Sequence, residues 1–183
     1  MAGGSGKSNQ SKRVALGGIL SALALLFLLG AGFLPIATFS GPIFASLCLI
    51  PLVAELGVKT SLLAYAGVCL LSLFLVPDKE VVLFFLFLTG YYPSLRPQIQ
   101  RIPYKPLRVI CKLGLFNVAV FVTYAILLFV LTSPVLQAEL AERAPWFFAG
   151  LLLIGNLTFL LYDVLVEKIQ IIYLYRIRKN IFR

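Results

Sequence analysis

The sequence predicts an all-α integral membrane protein, a bundle of six transmembrane helices with both termini in the cytoplasm. Three observations carry that expectation. The 183 residues are 61% hydrophobic and 13% charged, with a mean hydropathy of +1.00, whereas soluble domains are roughly 45–50% apolar. The apolar residues fall into runs of about the 20 that one bilayer crossing requires. Finally, six crossings put every one of the 16 Lys and Arg residues except Lys79 and Arg143 on the cytoplasmic side, where positive loops are retained.

Residues 1–13 are rich in Gly, Ser, Asn and Gln, with Lys7, Lys12 and Arg13, and read as a flexible cytoplasmic tail. The transmembrane domain occupies 14–168. Its first run, 14–33, is longer than the ~7–15 residues of a secretory h-region and lacks a following small-x-small cleavage site, so it reads as a retained helix. The later runs are 36–54, 60–76, 81–92, 109–132 and 146–166. Run 81–92 is short and meets Pro93, so hydropathy alone leaves it open to a re-entrant or interfacial reading. Charge argues for a crossing: without it, the basic cluster from Arg96 to Lys112 and the C-terminal tail would both fall outside.

The expected outer loops are 34–40, 77–80 and 133–145, and the inner ones are 55–59 and the Pro-rich basic stretch 93–108. Trp146 marks the outer boundary; Tyr91, Tyr92, Tyr104, Tyr173 and Tyr175 suit the inner one, where a ring stays apolar while its hydroxyl is wet. Residues 169–183 mix Ile, Leu, Tyr and Phe with Arg176, Arg178, Lys179 and Arg183, the pattern of a basic amphipathic cytoplasmic tail on an anionic leaflet.

Several chemistries are excluded. The chain has no histidine, so imidazole-ligated metals and histidine bases are ruled out. Cys48, Cys69 and Cys111 have no metal-ligand spacing and read as small buried hydrophobes. No phosphate-cradling Gly-rich motif is present, so the chain does not hydrolyse ATP itself. The net charge of +9 follows from topology and attraction to anionic lipid, without nucleic acid. Asp163 and Glu167 stand four apart near abundant cations, which is structural pairing rather than a catalytic arrangement. No enzyme activity, cofactor or metal is expected.

Polar groups in apolar runs need partners. Asn117 and Asn156 lie ~12 and ~15 Å from the inner ends of helices five and six at ~1.5 Å per residue, depths that suit an amide bridge; Asn156 also stays open to a ligand. Lys112 and Asp163 each lie three residues inside those same ends and are expected to pair, with snorkelling of Lys112 to the headgroups as the alternative. Glu55 precedes Lys59 by four, the favourable order for a one-turn helical pair.

On the first helix Ala15, Gly18 and Ala22 share a smooth face, suited to close contact with another helix, inside the bundle or on a partner. This motif and the overall layout resemble the substrate-binding S components of energy-coupling factor transporters, although Gly18 departs from that family's Ala-x-x-x-Ala pattern. The resemblance implies a bacterial cytoplasmic membrane protein that docks through Ala15, Gly18 and Ala22 on a transmembrane coupling protein and, through it, on cytoplasmic ATPases. It also implies a small vitamin-like solute held near the outer surface by Thr38, Ser40, Asp78, Lys79 and Glu80, with Trp146 and Asn156. Two alternatives stay open: 77–80 as a solvated turn, and the whole chain as a membrane scaffold of the rod-shape-determining type with no transported ligand.

Overall fold

The computed structural model describes residues 4–130 and 145–177, and every regular element among them is helical. Four stretches, Ser11–Phe33, Ile50–Leu75, Lys105–Phe129 and Trp146–Arg176, are long and apolar enough to cross a membrane. This is an all-helical membrane protein. Most of the outer loop expected at 133–145, and the end of the tail beyond 177, lie outside the described residues. The chain divides into two compact units, one running to Pro97 and resuming at Val166, the other Gln98–Leu165.

The first unit contains α1 (Gly4–Phe33), a 3-10 turn (Pro35–Ala37), α2 (Ser40–Leu47), α3 (Ile50–Leu75), α4 (Lys79–Phe84), a π turn (Phe85–Thr89) and α5 (Tyr92–Ile99) as far as Pro97. Ala and Leu, strong helix formers, dominate α1, and the structure carries that helix back through the polar stretch before Arg13.

Contacts along α1 fix the direction of the next two legs. Gly41 abuts Ala31 so closely that no Cβ would fit between them; a Cβ on Gly17 would lie 3.1 Å from Leu56 Cδ1, and one on Gly32 would lie 2.7 Å from Val76 Cγ1. The chain therefore descends alongside α1 between residues 41 and 56 and climbs again to 76. It reverses at Gly57, whose φ of 82° and ψ of 170° fall in a region open essentially only to glycine. This is the place where the sequence puts the inner loop 55–59. The descending leg is nearly continuous, because Cys48 N–H donates to Phe44 O, Leu49 N–H to Ser46 O and Val53 N–H to Leu49 O across the α2–α3 junction.

After the turn at 76–78 the chain descends once more, antiparallel to the 58–75 arm. Ser61 Oγ and Ser94 Oγ are 2.8 Å apart, and Tyr65 OH donates to Leu86 O at 2.5 Å. Pro93 does not end this descent as its position in the sequence suggests. It sits in the first turn of α5, where a missing N–H costs no internal hydrogen bond, so part of the expected loop 93–108 is helix. The core between these legs is aliphatic with one ring: Ala24, Leu28 and Ala31 of α1 meet Leu49, Leu52, Val68, Val76, Val82 and Phe85.

The second unit is a helical hairpin of α6 (Lys105–Phe129) and α7 (Pro145–Ile172) as far as residue 165. Phe116 and Phe159 stack between its arms, centroids 4.6 Å apart and planes at 16°. Beyond that unit α7 passes the expected helix end at 166 and runs into a second π turn, Tyr173–Ile177.

Candidate functional site

The helix α1 has two unlike faces. Ala24, Leu28 and Ala31 are buried in the core, while Ala15, Gly18 and Ala22 are exposed, and nothing lies within 4 Å of where a Gly18 Cβ would stand. The smooth stripe is thus left open by the described residues. Bulky exposed residues flank the stripe on both sides, Val14 at 63% and Ile19 at 66% beside it and Leu26 at 63% one turn beyond it, so the surface that admits a close-packed helix is narrow.

At the opposite end of the first unit, Thr38 closes the 3-10 turn in a helical conformation, and Ser40 Oγ donates to Ala37 O at 3.4 Å. Phe39 packs on Phe84, centroids 4.8 Å apart. Asp78 is the N-cap of α4, accepting from Glu80 N–H at 2.8 Å. Lys79 Nζ donates to Leu73 O at 2.7 Å and Val76 O at 2.9 Å, satisfying carbonyls that the end of α3 leaves unpaired. Burial pushes the Glu80 carboxyl above its ordinary value, and the neighbouring Asp78 adds to the rise. Asp78 and Lys79 therefore do capping work here, in keeping with a structured turn.

The remaining two residues of the expected solute site belong to the second unit. Trp146 is 76% exposed at the start of α7. Asn156 forms a closed amide pair with Asn117: Asn117 Nδ2 donates to Asn156 Oδ1 at 2.9 Å, and Asn156 Nδ2 returns a bond to Asn117 Oδ1 at 3.1 Å. Each amide also donates to the carbonyl one turn back, Leu113 O at 2.7 Å and Leu152 O at 2.8 Å. With both N–H groups of each amide used, the bridge is self-contained.

On the same hairpin, Lys112 Nζ donates to Asp163 Oδ2 at 2.5 Å, with the side chains 7% and 12% exposed. Lys112 thus ends on a carboxylate instead of reaching out to the headgroups. The pairs 112–163, 116–159 and 117–156 ascend α6 as they descend α7, fixing the hairpin's register with one ion pair, one ring stack and one amide pair.

Two ion pairs in the first unit are not evident from the sequence pattern. Arg96 Nη2 lies 2.6 Å from Glu167 Oε2, and the arginine side chain is only 3% exposed. Arg13 Nε lies 3.6 Å from Glu55 Oε2. The expected Glu55–Lys59 pairing fails for a backbone reason: Gly57 breaks the helix between them, so the two are no longer one regular turn apart. The signal that could have found Arg13 and Glu55 is that residues 14–54 hold no Asp, Glu, Lys or Arg, so these two charges bracket one uncharged hairpin. Among the described residues no group of three His, Cys, Asp or Glu side chains gathers to hold a metal.

Together these features define a helical membrane protein in which one smooth helix face is left uncovered by the described residues. Compared with known proteins, the chain matches no family model, no curated protein and no solved structure.

Proposed function

We propose that the chain is a substrate-capture subunit of the cell membrane. In this reading it crosses the bilayer six times with both termini in the cytoplasm, binds a small vitamin-like solute at its outer face, and docks on a transmembrane coupling protein driven by cytoplasmic ATPases. The observation that carries the reading is the uncovered Ala15–Gly18–Ala22 stripe. Three small exposed residues on one helix face, with nothing described within 4 Å of a Gly18 Cβ, offer a partner helix close backbone approach, the main source of contact energy where lipid removes the hydrophobic drive.

Leg lengths support six crossings. At ~1.5 Å per residue, the leg 40–56 spans about 25 Å and the leg 81–99 about 28 Å, beside a hydrocarbon core of ~30 Å. On that count the two shorter legs of the first unit cross with α1 and the 58–75 arm, and α6 and α7 add two more.

The test is affinity purification in mild detergent of the unaltered protein and of a Gly18→Leu/Ala22→Leu variant, identifying both co-purifying proteins and bound small molecules. The expected outcome is that a membrane protein and ATPases accompany the unaltered chain and are lost from the variant, while a small molecule stays with both. Partners without an ATPase, and no bound molecule, would instead identify a scaffold.

A further inference from the structure

The structure carries an inference about the tip of the first hairpin that is independent of any solute. We propose that the turn between Phe33 and Phe39 is a membrane anchor, immersed at the headgroup–acyl boundary of the leaflet opposite the Arg13–Glu55 pair. It rests on the chain being a membrane protein and not on the capture reading.

Three observations lead there. The first is charge: Arg13 and Glu55 meet at the base of the hairpin, and everything between them, tip included, is uncharged. The second is exposure. Phe33 is 73%, Leu34 61%, Ile36 98% and Phe39 66% exposed, and the neighbouring end of α3 continues the same apolar surface with Phe74 at 86% and Leu75 at 52%. These residues extend the lipid-facing surface of the crossing helices past their ends.

The third is the backbone, which must satisfy its own polar groups before it can enter a poorly hydrated region. The tip does part of this locally: Leu34 N–H donates to Ala31 O at 3.2 Å, Ala37 N–H to Leu34 O at 2.8 Å, and Ser40 Oγ to Ala37 O at 3.4 Å, while Pro35 has no N–H to satisfy. The partner that fits is lipid, because the turn is uncharged, its exposed side chains are chiefly apolar, and it is continuous with the exposed apolar ends of α1 and α3.

The chain's single tryptophan, Trp146, permits a clean depth measurement. In a Trp146→Phe background, Ile36→Trp and, separately, Phe39→Trp are reconstituted into phosphatidylcholine vesicles with and without bromine near the ester end of the acyl chains. Blue-shifted emission, quenched by the brominated lipid and protected from aqueous iodide, is the expected result. Emission typical of water with full access to iodide would overturn the proposal. So would protection from both quenchers, which would mean that protein covers the tip. Having two reporter positions keeps the test usable if one variant fails to fold. The measurement is made without added solute or partner, so its outcome does not depend on whether Thr38 and Ser40 hold a solute.

Discussion

Removing one member of the Lys112–Asp163 pair should be among the most damaging single changes in the second unit. The two side chains are 7% and 12% exposed and bonded at 2.5 Å. Asp163→Asn would leave an ammonium group in that site without its counter-charge, and Lys112→Met would do the same to the carboxylate. Stranding one buried charge costs about 3–5 kcal/mol, a shift of about two to three and a half powers of ten in the folding equilibrium. Replacing both charges by apolar groups of similar size is close to neutral, so Lys112→Met/Asp163→Leu should lose much less than either single change. The Lys112→Asp/Asp163→Lys exchange should recover much of what each of its halves loses. Unfolding in mild detergent can be followed by the fluorescence of Trp146, at the start of α7. Simple addition of the single losses in both double variants would refute the reasoning, since it would mean that the two groups do not act on each other.

Two further changes probe the first unit. Gly57→Ala places a side chain where the backbone is at φ 82° and ψ 170° with nothing within 4 Å of the new Cβ, so its cost is backbone strain alone, of order 1–3 kcal/mol; Gly67→Ala, helical with equally open space, should cause no loss in the same thermal melt. For Glu80 the folded state raises the carboxyl pKa through burial and Asp78, so the folded chain holds the proton more tightly than the unfolded one. Stability then falls as pH rises from the ordinary carboxylate value to the raised one. Glu80→Gln should therefore raise the melting temperature at neutral pH and leave it unchanged at acid pH.

What could be read in the sequence was whatever depends on a run of apolar residues or a depth along it. The helices beginning near 14, 109 and 146 are long and uninterrupted, and Lys112 and Asp163 meet because equal distances along two joined helices bring them to one level. What could not be read depends on where an interruption sends the chain. Pro93 looks like a stop, yet in the first turn of a new helix it interrupts nothing. Arg96 and Glu167 are separated by 71 positions, and no local pattern joins them. Glu55 has a cation one helical turn away in Lys59, and only the backbone at Gly57 turns it toward Arg13 instead.

The π turn at Phe85–Thr89 has a consequence for the register of everything after it. Gly90 N–H donates to Phe85 O at 2.8 Å, spanning five residues where an α-helix spans four, so this turn holds one residue more than regular geometry would accommodate. In effect the leg contains a stored insertion. Each residue advances an α-helix by about 100°, so tightening the turn to regular helix while keeping the surplus residue would rotate the whole of α5 by about that angle. Ser94 would swing off Ser61 and Arg96 off Glu167, turning a buried guanidinium toward an apolar surface. The alignment of α5 thus depends on a single surplus residue between Phe85 and Gly90, where Tyr65, through its bond to Leu86 O, clamps the widened turn.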